Sequence, residues 1–202
     1  DGAVLFMPDK HLGRNTGLQL GLGPDDWHVL RLSGKNGLAE SERQPGSAAA
    51  CRRLLLWPGC CAIHGHLRPE SVQAARAAYP GCRVLAHPEC RPELIGLCDG
   101  SGSTSYLIKE AEKAAGEGGT LIIGTETNLV HRLRDRFAGR CRIEPLAPAI
   151  CPDMAKVTEE NLLACLQGVA AGTAPIMTLQ DEQLAPARAS LTRMLQVCAA
   201  QR

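Results

Sequence analysis

The sequence predicts an α/β fold built on parallel sheet, and three observations predict it. From Leu54 onward, short apolar runs alternate with stretches of helical period. The spacing between runs suits βαβ crossovers, which demand parallel strands. Each apolar run also ends in a polar loop. Ala3–Met7 (AVLFM) reads as the first strand, broken by Pro8-Asp9. A buried strand needs neighbours on both sides, and little precedes this one, so the chain is expected to begin inside a domain. A polar turn over 11–17 and a short amphipathic stretch to Leu22 follow. Residues 33–50 carry Gly, Ser and charge without apolar period and read as a surface loop. Pro69–Tyr79 has Val72, Ala75 and Ala78 at helical spacing, with proline in the first turn. Strands are predicted over 83–87, 120–124 and 141–146, and helices over 91–98, 103–115, 128–137, 159–169 and 184–200.

Composition narrows the function. The chain has 202 residues with 22 Lys+Arg against 21 Asp+Glu, so no cationic excess exists to displace counterions from nucleic acid. Aromatic residues are 3%, too few for base-stacking platforms. The longest apolar runs, such as Leu54–Trp57, fall far short of the ~20 residues a membrane span needs. No nucleic-acid or membrane partner is expected, and the protein is expected to be cytoplasmic. Ten cysteines stand at 51, 60, 61, 82, 90, 98, 141, 151, 165 and 198. They form no C-x-x-C knuckle, so any metal would be held by thiols from distant parts of the chain.

In parallel sheets, ligands bind beyond the carboxyl ends of the strands. Those ends are Pro8–His11, His87–Glu89, Gly102–Ser105 and Gly124–Thr127. His87-Pro88-Glu89 holds an imidazole and a carboxylate two residues apart on a stiffened turn. It suits acid–base work or a polar substrate; the plainer reading is a polar loop with a capping glutamate. Gly102-Ser103-Thr104-Ser105 opens a helix and reads as an anion site or as an ordinary N-cap. Gly124-Thr125-Glu126-Thr127 repeats the pattern, with Glu126 set to repel an anion. Trp57–His64 (WPGCCAIH) brings two thiols and an imidazole beside a Pro-Gly turn, and Cys151-Pro152 follows the last strand. Each thiol is either a metal ligand or a small core residue. His28, His66 and His131 have no partner pattern.

Taken in order, FMPDKHLGRNT (6–16), WPGCCAIH (57–64), VLAHPEC (84–90), GSTS (102–105), IGTETNLVHRL (123–133) and CPDMAKVT (151–158) resemble the quinolinate synthase family, through nearly the whole chain. The resemblance implies repeated three-layer αβα domains with small parallel sheets in pseudo-threefold arrangement, N-terminally incomplete here. Residues 1–56 would be the C-terminal half of the middle domain and 57–146 a complete third domain. Residues 147–202 would be a segment whose helices pack back on the missing first domain. It implies a [4Fe–4S] cluster held by three cysteines with one iron open to substrate. Cys61 and Cys151 match two of those positions. His64 and Glu89 are implied as catalytic, and His87, Pro88, Glu89 and Thr104 as contacts to substrate.

The implied reaction condenses iminosuccinate with dihydroxyacetone phosphate to quinolinate, phosphate and water, in NAD biosynthesis. An L-aspartate oxidase would supply the iminosuccinate. The segment that carries the family's first cluster cysteine and further substrate contacts has no counterpart in 1–202. The chain alone is therefore expected to hold the cluster poorly and turn over little. Two other readings compete. One is a non-catalytic α/β module that binds a dicarboxylate or a partner protein. The other is a zinc protein using Cys61, Cys151 and a histidine.

Overall fold

A computed structural model describes residues 3–32, 39–40 and 53–200. Two compact units divide the chain, Asp1–Ala155 and Lys156–Arg202. Among the described residues, the first unit holds every strand.

Its first sheet joins β1 (Val4–Phe6), β2 (Trp27–Val29) and β5 (Leu54–Leu56), with β5 in the centre and all pairings parallel. A minor antiparallel pair, β3 (Arg31–Leu32) and β4 (Ala39–Glu40), lies apart from it. The expected loop over 33–50, apart from Ala39–Glu40, falls outside the described residues, as does Cys51. The run 11–17 corrects the sequence reading. It is not a turn but the body of α1 (Lys10–Gln19). Glycines lower helix propensity, which hid the helix. Packing explains them: a Cβ on Gly13 would sit 2.4 Å from Leu56 Cδ2, and one on Gly17 3.3 Å from the Trp27 ring. The glycines let the helix lie directly on the sheet.

The second sheet is four-stranded and parallel, in the order β7 (Gly100–Ser101), β6 (Arg83–Ala86), β8 (Thr120–Gly124), β9 (Arg142–Pro145). Strand periodicity sorts its side chains onto two faces. Val84, Ala86 and Ile122 enter one core with Leu67, Val72, Ala75 and Leu94. These last come from α2 (Pro69–Ala78), α3 (Pro92–Ile95) and the turn before α2. Leu85, Leu121, Ile123 and Ile143 enter the opposite core with Leu107, Ala111, Val130 and Leu133. Those come from α4 (Thr104–Glu117) and α5 (Thr127–Arg136). Helices thus cover both faces of a parallel sheet, the three-layer arrangement expected. The helix expected over 91–98 is shorter, confined to Pro92–Ile95.

The strand order matters for function. From β6 the chain steps to β7 on one side, then crosses through α4 to β8 on the other side. The crevice between the carboxyl ends of β6 and β8 is therefore a topological switch point, where such sheets bind ligands.

The second unit contains α6 (Glu159–Ala171) and α7 (Asp181–Ala199). Thr158 caps α6 reciprocally with Asn161, and Gly172 ends it in the left-handed conformation. No helix among the described residues is long and apolar enough to cross a membrane.

Candidate active site at the strand ends

The site assembles from loops that follow strands of both sheets. Asp9, after β1, is buried and organises the first of them. Its Oδ1 accepts hydrogen bonds from the backbone N–H of His11 (2.7 Å) and Leu12 (2.8 Å), capping α1. Its Oδ2 accepts from the Cys61 N–H at 2.7 Å. One carboxylate thus ties the β1 loop to the turn after β5. The tie is reinforced by Lys10 N–H donating to Gly59 C=O at 2.8 Å. Gly59 is required there: a Cβ would stand 2.5 Å from the Pro8 carbonyl oxygen.

Cys61 is half-buried, whereas the adjacent Cys60 is exposed. After Cys61 the chain makes a tight turn, with Gly65 N–H donating to Cys61 C=O at 2.9 Å. A single 3-10 turn at His64–His66 brings His64 back toward the second sheet. His64 Nδ1 lies 2.8 Å from Glu89 Oε2, and its Nε2 lies 3.1 Å from Thr125 Oγ1. A carboxylate only accepts, so the neutral ring carries its proton on Nδ1 and takes the Thr125 hydroxyl proton at Nε2. The His64 and His87 rings stack at 4.2 Å between centroids, 13° from parallel.

His87 continues β6, its N–H donating to Gly124 C=O at 3.0 Å. The Glu89 N–H donates to His87 Nδ1 at 3.3 Å, which leaves the His87 proton on Nε2. Burial lowers the His87 pKa, and the neighbouring His64 lowers it further. His87 is therefore held neutral as an Nε2–H donor. Glu89 Oε2 stands 3.7 Å from His87 Nδ1, beyond hydrogen-bond reach, so the carboxylate's hydrogen bond goes to His64.

The 87–90 loop is pinned from behind. Asn15, buried on α1, donates through Nδ2 to the carbonyls of Pro88 (2.7 Å) and Cys90 (2.8 Å). Arg91 Nε donates to Gly65 C=O at 2.9 Å, joining the same loop to the Cys61 turn. Cys90 itself is sealed in the core, and burial raises its thiol pKa strongly. It is a structural residue.

The site residues predicted from sequence divide into three groups. Cys61, His64 and Glu89 come together, with one ligand atom from each lying within 4.8 Å of the other two. His87 stacks on His64, and Pro88 supplies the carbonyl that Asn15 holds. Thr104 is the first residue of α4, exposed, next to the capping Ser103. Cys151 is half-buried after β9, its carbonyl accepting from Ala155 N–H at 2.9 Å, and it is not part of the Cys61 trio. Glu126 is the N-cap of α5. Its side chain caps α5, accepting from the Asn128 and Leu129 N–H groups, and so takes up that helix terminus itself.

Three residues escaped sequence reading: Asp9 and Asn15 as supports, and Thr125 as the partner of His64. Asp9 directly before a helix start was the one available signal. A thiol, an imidazole and a carboxylate in one half-buried pocket suit iron or zinc. On that ground Cys61 fits the cluster that the family resemblance implies.

Comparison with known proteins gives the family. The family model described as quinolinate synthetase A protein matches residues 1–196. The quinolinate synthase of Corynebacterium glutamicum is 38% identical over 200 residues, covering 96% of this chain and 48% of the relative. That of Acidobacterium capsulatum is 36% identical, with 96% and 52% covered. That of Streptomyces coelicolor is 37% identical, with 95% and 48% covered. The chain spans about half the length of the curated relatives it matches. With a family model matched almost from end to end, the chain belongs to the quinolinate synthetase A protein family.

Proposed function

We propose that this chain carries part of the active site of a cytoplasmic quinolinate synthase, a transferase of NAD biosynthesis. The reaction condenses iminosuccinate with dihydroxyacetone phosphate to quinolinate, inorganic phosphate and two waters. The observation that carries this reading is the hydrogen-bonded series Thr125–His64–Glu89, with His87 stacked on it, beside Cys61 at the switch point.

Cys61 and Cys151 would hold the [4Fe–4S] cluster, together with a third thiolate from the part of the relatives this chain does not span. When bound, the cluster supplies an open iron that polarises substrate oxygen as a Lewis acid. The chain's own residues do the rest. Neutral His87 presents Nε2–H to a substrate carboxylate. Glu89 takes a proton from substrate on its carboxylate and later returns it, while His64 Nδ1–H donates to Oε2 and the Thr125 hydroxyl holds the ring in that tautomer through Nε2. Pro88, held by Asn15, keeps both groups aimed. Thr104 opens α4 with a free hydroxyl, suited to an anionic oxygen. Iminosuccinate would come from an L-aspartate oxidase.

The test is a chimera in which residues 1–196 replace the matching part of the Corynebacterium glutamicum relative. Quinolinate formation that disappears on Glu89→Gln is expected. A folded, cluster-bearing chimera without turnover would refute the reading. The isolated chain, reconstituted anaerobically, is expected to bind iron and sulfide substoichiometrically and to turn over little. Near-stoichiometric cluster with turnover would overturn that part.

A further inference from the structure

The trio Cys61, His64 and Glu89 has a geometry that cluster binding does not require. A [4Fe–4S] cluster would draw on Cys61 alone of the three, yet the three donors lie within 4.8 Å of one another, one each of sulfur, nitrogen and oxygen. We propose that Cys61, His64 and Glu89 form a mononuclear site for a zinc-like divalent ion, independent of Cys151. Tetrahedral zinc with bonds of roughly 2.0–2.3 Å needs ligand atoms about 3.3–3.8 Å apart. His64 Nδ1 and Glu89 Oε2 begin at 2.8 Å and need only spread to admit the ion.

The surroundings favour it. Binding at Nδ1 moves the single ring proton to Nε2 through solvent, and the ring then donates Nε2–H to Thr125 Oγ1, 3.1 Å away, with the threonine hydroxyl turned to accept. Such an outer partner fixes the imidazole tautomer on a metal. The Cys61 backbone is fixed by Asp9. Three protein ligands leave a fourth position open. Because Cys61 belongs to both ligand sets, the zinc form excludes the cluster. This last consequence rests on the functional reading above, whereas the binding itself does not.

The experiment titrates the anaerobic, reduced chain with zinc in competition with a chelator, and with cobalt(II) as a spectroscopic probe. One equivalent is expected, with a sulfur-to-cobalt charge-transfer band. Cys61→Ser should abolish the band, and the near-isosteric Glu89→Gln should weaken binding at least tenfold. Thr125→Val should cost on the order of 10-fold. Cys151→Ser and Cys60→Ser should bind as the parent does. Circular dichroism on each variant separates loss of a ligand from loss of fold. No binding by the folded parent, or equal losses in Cys61→Ser and Cys151→Ser, would overturn the proposal. Preloaded zinc should also lower iron uptake on reconstitution; undiminished uptake with zinc retained would overturn the exclusion. Failure to take up iron even without zinc counts against the cluster reading alone.

Discussion

Asp9→Asn separates two jobs that one carboxylate performs. Asp9 is 3% exposed and accepts three backbone hydrogen bonds, two from the first turn of α1 and one from Cys61. Asparagine keeps one oxygen and is as good an N-cap as aspartate. Its amide nitrogen then faces the Cys61 N–H, donor against donor. Losing a buried hydrogen bond to a charged group and leaving its partner unsatisfied costs about 2 kcal/mol. Asp9→Ala removes the helix cap as well, adding about 1 kcal/mol. Urea unfolding should therefore rank the parent above Asp9→Asn and Asp9→Asn above Asp9→Ala, with the two variants separated by about 1 kcal/mol. The asparagine variant should also release the turn around Cys61, and native-state alkylation of that thiol should speed up. A variant as stable as the parent, or Asp9→Asn falling below Asp9→Ala, would refute the claim that Asp9 tethers Cys61.

Asn15→Leu should lose about 1–2 kcal/mol in urea unfolding, since two carbonyls lose their donor while the unpartnered Oδ1 is also removed. Asn15→Asp should be worse, because an acceptor would then face both carbonyls. Burial depresses the folded-state pKa of His87 and of His11 below the ordinary 6.5. Their contribution to stability is thus fully present above 6.5 and is lost as pH falls through the lower folded values. Urea midpoints should decline below 6.5, and His87→Asn should flatten part of that decline. Mass-mapped alkylation of the native chain should label exposed Cys60, Cys165 and Cys198 and spare Cys90, which reacts only on unfolding.

Sequence pattern carried the second sheet well. β6 and β8 carry the apolar runs Val84–Ala86 and Leu121–Ile123, and α2, α4 and α5 keep helical period with Pro or a polar cap at their starts. It failed where packing overrode propensity. α1 looked like a turn because Gly13 and Gly17 suggest one, yet both are there for close approach to the sheet. β7 is two residues long and owes its existence to pairing with β6, which no local pattern announces. The strand-end rule located His87 and Glu89 and the loop that carries Thr125, though not the pairing of Thr125 with His64, and the order of motifs located Cys61 and His64. Asn15 escaped because its partners lie 73 and 75 residues away. Only the folded chain brings an α1 amide behind the 87–90 loop.

The central claim is that His64, His87 and Glu89 form one substrate-binding group at the β6/β8 switch point. Nitrogen-15 histidine NMR of the chain, titrated with a stable four-carbon dicarboxylate, tests it most directly. The account predicts His64 as the Nδ1–H tautomer and His87 as Nε2–H, with both signals shifting saturably together while His28 and His131 stay still. Opposite tautomers, or a dicarboxylate that moves His28 or His131 and leaves the stacked pair unchanged, would contradict it.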